Sequence, residues 1–381
     1  MKNSFIATTN QGLEDIVAEE INESFQIKAY PGIGLVKFEG EFDLIYKVNL
    51  KCRTIHKLIL LLHETKFKDL NDLYKEVKSI DFSEYIKRDH SFAVRTERIG
   101  LHNFTSIDAS AIIGKAIIDS YKEIKGIRLK VNLDNPDIEF YCRIKHNEFL
   151  IGINTTGESL HKRGYRVYNH PASLKTTLAC SMIKISEWKG REILLDPMCG
   201  GGTIPIEAAL KARNIPIGIF RKEYKFFNLP SFDKEKFEKI LEEYIRDSNK
   251  EKYPIEGVDI SPKHIKGAIE NARSAKVDDT INFIIGDATK LEKVIKNNPE
   301  KVIVNPPYGI RSSRLEYVKD LYYKFLNCLK KLMDKEGILV VITHRYEEFK
   351  KAAIDNNFRV INVWNTKHGN LPSYIFKLKI E

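Results

Sequence analysis

The chain has 381 residues, 43% hydrophobic and 30% charged, which excludes a disordered protein and suggests two or three domains instead of one core. Its longest apolar run, Leu58 to Leu62, is far short of the roughly 20 residues of a membrane span, and no apolar signal-peptide core opens the sequence, so a soluble cytoplasmic protein is expected. Sixty-two Lys and Arg against 52 Asp and Glu leave a formal charge of +10. That surplus favours polyanionic partners, although coding bias toward Lys and Ile produces the same balance.

Residues 1–66 read as strand, helix, strand, helix, strand. The first helix, from Gly12, puts Leu13, Ile16, Val17 and Ile21 on one stripe, as a helix lying on a sheet requires. Residues 67–157 form a second α+β unit: a helix near "LNDLYKEVKSI", the strand "SFAVRTERI", the long helix "SIDASAIIGKAIIDSYKEI" and a hairpin turning at "KHNE". Its basic residues include Arg95, Arg98, Lys115, Arg128 and Lys130. Residues 158–172, rich in basic side chains and without periodicity, read as an ordered linker on a charged surface.

From residue 173 to 381 strands and helices alternate, which predicts a mostly parallel seven-stranded sheet with helices on both faces. The strands are "EILLDPMC", "IEGVDI", "INFIIGDA", "KVIVNPP", "GILVVITH", "FRVINVW" and "SYIFKLKI". Only "TKHGNLP" separates the last two, too short for a crossover helix, so the seventh strand is expected antiparallel to the sixth. An aromatic and basic insertion at 211–250 is expected to be a packing cap and not a groove for nucleic acid.

Ligands of an open parallel sheet bind beyond the carboxyl ends of its strands. The first strand ends in "LLDPMCGGGT", where Gly200, Gly201 and Gly202 allow close backbone approach before a helix start with free N–H groups. The second ends at Asp259, a residue type that accepts from ribose hydroxyls, and the third at Asp287, placed to accept from an adenine amine. A tight turn and two helix N-caps would explain each feature singly; their succession favours a cofactor site. The fourth strand runs into Asn305, Pro306, Pro307 and Tyr308, and two consecutive prolines force the chain out of the sheet.

The ordered set "LLDPMCGGGT", "GVDI", "GDA" and "NPPYG" resembles the class I S-adenosylmethionine-dependent methyltransferases, and its fourth element resembles that of enzymes acting on exocyclic or amide nitrogens. Residues 67–157 with "LHKRGYR" after them resemble the THUMP RNA-binding module, and residues 1–66 resemble the ferredoxin-like domain that precedes it. The whole chain is similar to the THUMP-containing guanine-N2 RNA methyltransferases. That resemblance implies a Rossmann-like catalytic domain at 173–381 and S-adenosylmethionine as cofactor. It also implies transfer to guanine N2 in tRNA, at position six of the acceptor stem, with the THUMP module holding the 3′ CCA end.

The resemblance places the cofactor on Asp196, Cys199, Gly200, Gly201, Gly202, Thr203, Asp259, Ile260, Asp287, Ala288 and Asn305, and its methionine end near Pro171, Ala172 and Leu174. The Asn305 side-chain carbonyl and the Pro306 backbone carbonyl are then acceptors for the amine hydrogens, held by the stiff Pro306–Pro307 turn, and Tyr308 stacks on the target base. Cys199 is expected to be a small lining residue, since a pyrimidine-C5 enzyme would need a Pro-Cys pair and the chain has none. The five cysteines (Cys52, Cys142, Cys180, Cys199, Cys328) contain no CxxC pair, and His161, His170, His344 and His368 lack metal-ligand spacing, so no metal is expected. A monomer is expected. Large-subunit rRNA remains a rival substrate, and a protein-glutamine methyltransferase and a non-catalytic RNA-binding factor remain more distant alternatives.

Overall fold

The computed structural model describes residues 2–307, 315–369 and 371–381, which build two sheets. The first sheet takes its strands from residues 3 to 154: β1 (Asn3–Thr8), β2 (Ala29–Gly32), β3 (Leu35–Gly40), β4 (Lys57–Lys66), β5 (Ser91–Ile99), β6 (Lys130–Val131), β7 (Ile138–Lys145) and β8 (Glu148–Asn154). Their order, β2-β3-β1-β4-β8-β7-β5-β6, joins the two N-terminal units through one antiparallel pair, β4 with β8. The sequence reading missed β2. Its "AYPG" is an edge strand carrying a proline, half-buried at Ala29 and exposed beyond it, so no alternation betrays it.

Four helices serve this sheet: α1 (Glu14–Phe25), α2 (Leu44–Lys51), α3 (Leu70–Lys78) and α4 (Ser106–Lys125). Thr105 and Asp108 form a reciprocal capping box at the start of α4. The predicted stripe of α1 is real, and it serves two cores. Val17 and Ile21 face the first sheet, while Leu13 and Ile16 pack with residues of the catalytic half.

The second sheet contains β9 (Leu194–Asp196), β10 (Ile255–Asp259), β11 (Ile281–Ile285), β12 (Lys301–Val304), β13 (Ile338–Thr343), β14 (Phe358–His368) and β15 (Leu371–Ile380). The order is β11-β10-β9-β12-β13-β15-β14, parallel except for β15, which runs antiparallel between β13 and β14. The antiparallel seventh strand is as expected. Pairing continues to His368 and Leu371, so most of "TKHGNLP" is ladder and not turn. One face carries α5 (Thr176–Ile185) and α6 (Thr203–Ala212), and the other α9 (Leu315–Leu329) and α10 (Tyr346–Asp355). Helix α8 (Pro262–Ser274) follows β10. No described helix is long and apolar enough to cross a membrane.

The aromatic insertion ends in α7 (Lys234–Arg246), and its core lies with the N-terminal half. Phe226, Phe232 and Phe237 surround the ring of Tyr46 on α2 at centroid distances of 5.3, 6.0 and 5.8 Å. The Asp233 N–H donates to the Tyr46 hydroxyl at 2.9 Å, and the Phe226 N–H to the Thr155 carbonyl at 2.9 Å. The insertion is therefore a clamp between halves. Removing its polar anchor with Tyr46→Phe leaves a part-buried N–H without its acceptor, and is expected to cost about 1 kcal/mol of stability. An unchanged thermal midpoint would show that the aromatic packing alone holds the clamp.

Candidate active site

Strand β9 stops at Asp196 because Pro197 has no N–H for the ladder. The chain then turns through Met198 and Cys199, and Gly200 and Gly202 take φ of 51° and 78°, values that favour glycine. At Gly202 a Cβ would also come within 3.0 Å of the Ala268 Cβ. Helix α6 begins at once with Thr203, whose side chain accepts from Arg166 Nη2 at 2.9 Å.

Two hydrogen bonds pin this turn to the neighbouring elements. The Gly200 N–H donates to Asp259 Oδ2 at 2.9 Å, and Asn271 Nδ2 on α8 donates to the Gly201 carbonyl at 2.9 Å. Asp259, at the end of β10, uses its other oxygen for the Ser261 N–H at 2.9 Å, with His264 Nδ1 at 3.2 Å from the same oxygen. Oδ2, with the Gly200 N–H as its one bond among the described residues, keeps a second lone pair, so the side chain retains acceptor capacity for a ligand. Asp287, past the end of β11, accepts from the Thr289 N–H at 2.9 Å and the Thr289 hydroxyl at 2.8 Å. Burial alone would raise its carboxyl, and these bonds outweigh it and hold it below the ordinary value.

The strand ends enclose a cavity of about 260 Å³. Around it stand Asp196, Cys199, Gly200, Gly201 and Thr203 from the first turn, Asp259 and Ile260 from the second, Asp287 and Ala288 from the third, and Asn305, Pro306 and Pro307 from the fourth. Ala172 and Leu174 close one side. Pro171 and Gly202 stand outside the lining, Gly202 as the left-handed cap of α6. Tyr308 lies outside the described residues.

Sequence reasoning missed His170, Ser173, Met198, Ile204, His264, Tyr317 and Leu321, all of which line the cavity. The His170 Nδ1 accepts from the Ala172 N–H at 3.2 Å, and its ring meets that of His264 at 4.3 Å, nearly perpendicular. His264 had a usable signal, since it falls in the first turn of the helix that follows an acidic strand end. Tyr317 and Leu321, four residues apart, share the face of α9 next to the proline turn.

Burial pushes the Cys199 thiol well above its ordinary value, with Asp196 and Asp259 adding repulsion, so it is a protonated lining residue and not a thiolate nucleophile. Burial likewise raises the Asp196 carboxyl. Among the described residues no basic side chain pairs with it, and it accepts from the Met198 N–H at 3.2 Å. A buried carboxylate without a counter-charge beside a cavity fits a cationic ligand, and a sulfonium or ammonium group supplies that charge. Glycine turn, ribose-type aspartate and uncompensated Asp196 therefore suit S-adenosylmethionine.

Residues 163–373 match the RMKL-like methyltransferase domain family, 67–154 the THUMP domain and 4–59 the RlmL ferredoxin-like domain. The chain is 46% identical to the tRNA (guanine(6)-N2)-methyltransferase of Methanocaldococcus jannaschii, over 99% of this chain and 100% of that one. The chain belongs to the THUMP-containing RNA methyltransferases. It is also 32% identical to the ribosomal RNA large subunit methyltransferase K/L of Aliivibrio fischeri over 86% of its own length, but spans only 47% of that protein. The solved structure of a possible methylase from Clostridium difficile 630 superposes with a TM-score of 0.89 at 28% identity, covering 100% of this chain and 99% of that one.

This methyltransferase has a second concavity, an open groove of about 910 Å³ where its two halves meet. Lys57, Arg95 and Arg143 reach it from the first sheet, and Lys175 and Lys367 from the catalytic half. His56 and His161 also line it, and burial keeps both neutral, with pKa values lowered to about 3 and about 4. Glu97 and Glu139 are its acidic members, and Glu139 pairs with Lys57 at 3.1 Å.

Proposed function

We propose that this methyltransferase transfers a methyl group from S-adenosylmethionine to the exocyclic N2 of guanosine at position six of tRNA. The observation that carries the reading is the placement of Asn305, Pro306 and Pro307 in the same cavity as the glycine turn, Asp259 and Asp287. The full-length likeness to the Methanocaldococcus jannaschii tRNA enzyme supports the substrate.

When bound, S-adenosylmethionine supplies an electrophilic methyl group on sulfur. Asp259 accepts hydrogen bonds from the ribose, Asp287 accepts from the adenine amine, and Asp196 balances positive charge at the methionine end. The lone pair of guanine N2 is delocalised into the ring and must localise before it attacks. The Asn305 side-chain carbonyl and the Pro306 carbonyl, accepting from the amine hydrogens, favour that localisation, and the proline turn keeps them oriented without reorganisation. A paired base hides N2, so the guanosine is extruded at a cost of a few kcal/mol. Tyr308, outside the described residues, is the residue proposed to stack on it, returning roughly 1 to 3 kcal/mol.

The basic groove is proposed to take the 3′ end of the RNA, with phosphates against Lys57, Arg95, Lys175 and Lys367 and the acceptor stem leading toward the cavity. The enzyme acts as a monomer in the cytoplasm. Large-subunit rRNA is the second reading, favoured by the likeness to the Aliivibrio fischeri enzyme. Mass spectrometry of nucleosides from tRNA and rRNA incubated with labelled cofactor tests both, and label in rRNA alone would reject the tRNA reading.

Asp259→Ala is expected to weaken S-adenosylmethionine binding by about 1.5 to 3 kcal/mol, the scale of hydrogen bonds to a charged group. The upper end is expected, because the Gly200 N–H loses its acceptor as well as the ribose. Calorimetry showing unchanged affinity would remove Asp259 from the cofactor site.

A further inference from the structure

The segment between the halves keeps exposed positions, among them Lys162, Val167, Asn169 and Pro171, but Arg163 and Tyr165 turn inward and make it a strap over α6. Arg163 is 2% exposed and Glu207, one helical turn beyond Thr203, is fully buried. Arg163 Nε donates to Glu207 Oε1 at 3.3 Å, the Tyr165 hydroxyl donates to the same oxygen at 2.9 Å, and Cys180 Sγ donates to Oε2 at 3.0 Å. Burial would raise the Glu207 carboxyl, but Arg163 and Arg53 outweigh it and keep it below the ordinary value. Further along the strap, Arg166 holds Thr203 Oγ1, and the N–H groups of Val167 and Tyr168 both donate to Asn271 Oδ1, at 2.9 and 2.8 Å. Asn271 in turn holds Gly201.

The same network reaches the first sheet's domain. Arg163 Nη2 donates to the Arg53 carbonyl at 2.7 Å, and Arg53 Nη2 donates to the carbonyls of Leu210 and Ile215, at and beyond the C-terminal end of α6. Arg53 lies three residues before His56 and four before Lys57, both of which line the basic groove. One carboxylate thus joins the loop bordering the groove to the helix whose first residue borders the cofactor cavity. Separating them would leave a buried charge unpaired, so loop and helix move together.

We propose that Glu207 is a positioning residue that couples RNA in the basic groove to the cofactor cavity, an inference that rests on the function proposed above. RNA bound at the groove fixes the loop at Arg53, the Arg53–Arg163–Glu207 network fixes α6, and α6 fixes the glycine turn. By linkage, cofactor bound at the turn must strengthen RNA binding by the same factor.

The test uses the full chain, S-adenosylhomocysteine, which cannot donate a methyl, and a tRNA transcript. Saturating tRNA is expected to tighten S-adenosylhomocysteine binding at least about fivefold, the lower end of typical coupling, with the reciprocal gain for tRNA. In Glu207→Gln the ratio is expected to fall toward one. Arg53→Lys, which keeps the charge and loses the fork to Leu210 and Ile215, should reduce it too and guards against a misfolded first variant. A purely structural role would lower the melting temperature of either variant and leave the ratio intact, which would overturn the proposal. Equal affinity with and without tRNA in the unsubstituted chain would overturn it as well. The two affinities measured separately test the proposed function, so the two ideas fail independently.

Discussion

Asn305→Ala is expected to lower the single-turnover rate of methyl transfer at least about a hundredfold, the scale for removing one oriented electrostatic partner in an active site. The expectation follows from position. Strand β12 is fully buried along "KVIV", and the two prolines that follow cannot continue it, so Asn305 sits half-buried at the cavity on a backbone with little freedom. An acceptor held in this way contributes most when the amine lone pair localises and little when the cofactor alone binds. Affinity for S-adenosylhomocysteine should therefore change much less than the rate, and the separation of the two is the informative result. Near-wild-type single turnover in Asn305→Ala would make the motif a structural turn and return the catalytic question to the remaining cavity residues.

The strand-end residues were legible because each combines a local pattern with a rule of parallel sheets. An apolar run names the strand, and the glycine, acidic or Asn-Pro-Pro residues after it name the ligand edge. Of the cofactor residues proposed from sequence, those at the four strand ends converge on one cavity, Gly202 excepted, because parallel register places every strand end on the same side. The strap was not legible for the opposite reason. "LHKRGYR" looks like a solvated charged stretch, and nothing local shows that Arg163 meets Glu207 forty-four residues later or Arg53 in another domain. Buried ion pairs are long-range solutions, and periodicity reports only on near neighbours. His170 was hidden similarly, since its role depends on the ring of His264 packing against it from α8. The insertion fell between these cases: its aromatic content announced packing, but its partner Tyr46 lies far away in sequence.

Replacing guanosine six alone in a tRNA transcript is expected to abolish methyl acceptance, and trimming the 3′ CCA should make an otherwise normal transcript a poor substrate. Both follow from the way the halves are joined. The first sheet, the insertion clamp and the strap leave the groove and the cavity in a fixed relation, with Tyr46 bonded to the insertion and Arg53 bonded to α6. An RNA end anchored in the groove would then present one stem position to the cavity, so selection is expected to work by distance more than by neighbouring sequence. The phosphate contacts that anchor it should give a steep salt dependence, and shortening the anchored end removes them or shifts the register. Extrusion of the base adds a second filter, because a non-guanine base at that position offers no N2 amine to the Asn305 and Pro306 acceptors. Continued N2-methylation of the replaced transcript at a different guanosine would show that the groove does not measure position. Robust methylation of ribosomal RNA in its place would move the substrate to the second reading and leave the methyl-transfer chemistry of the cavity unchanged.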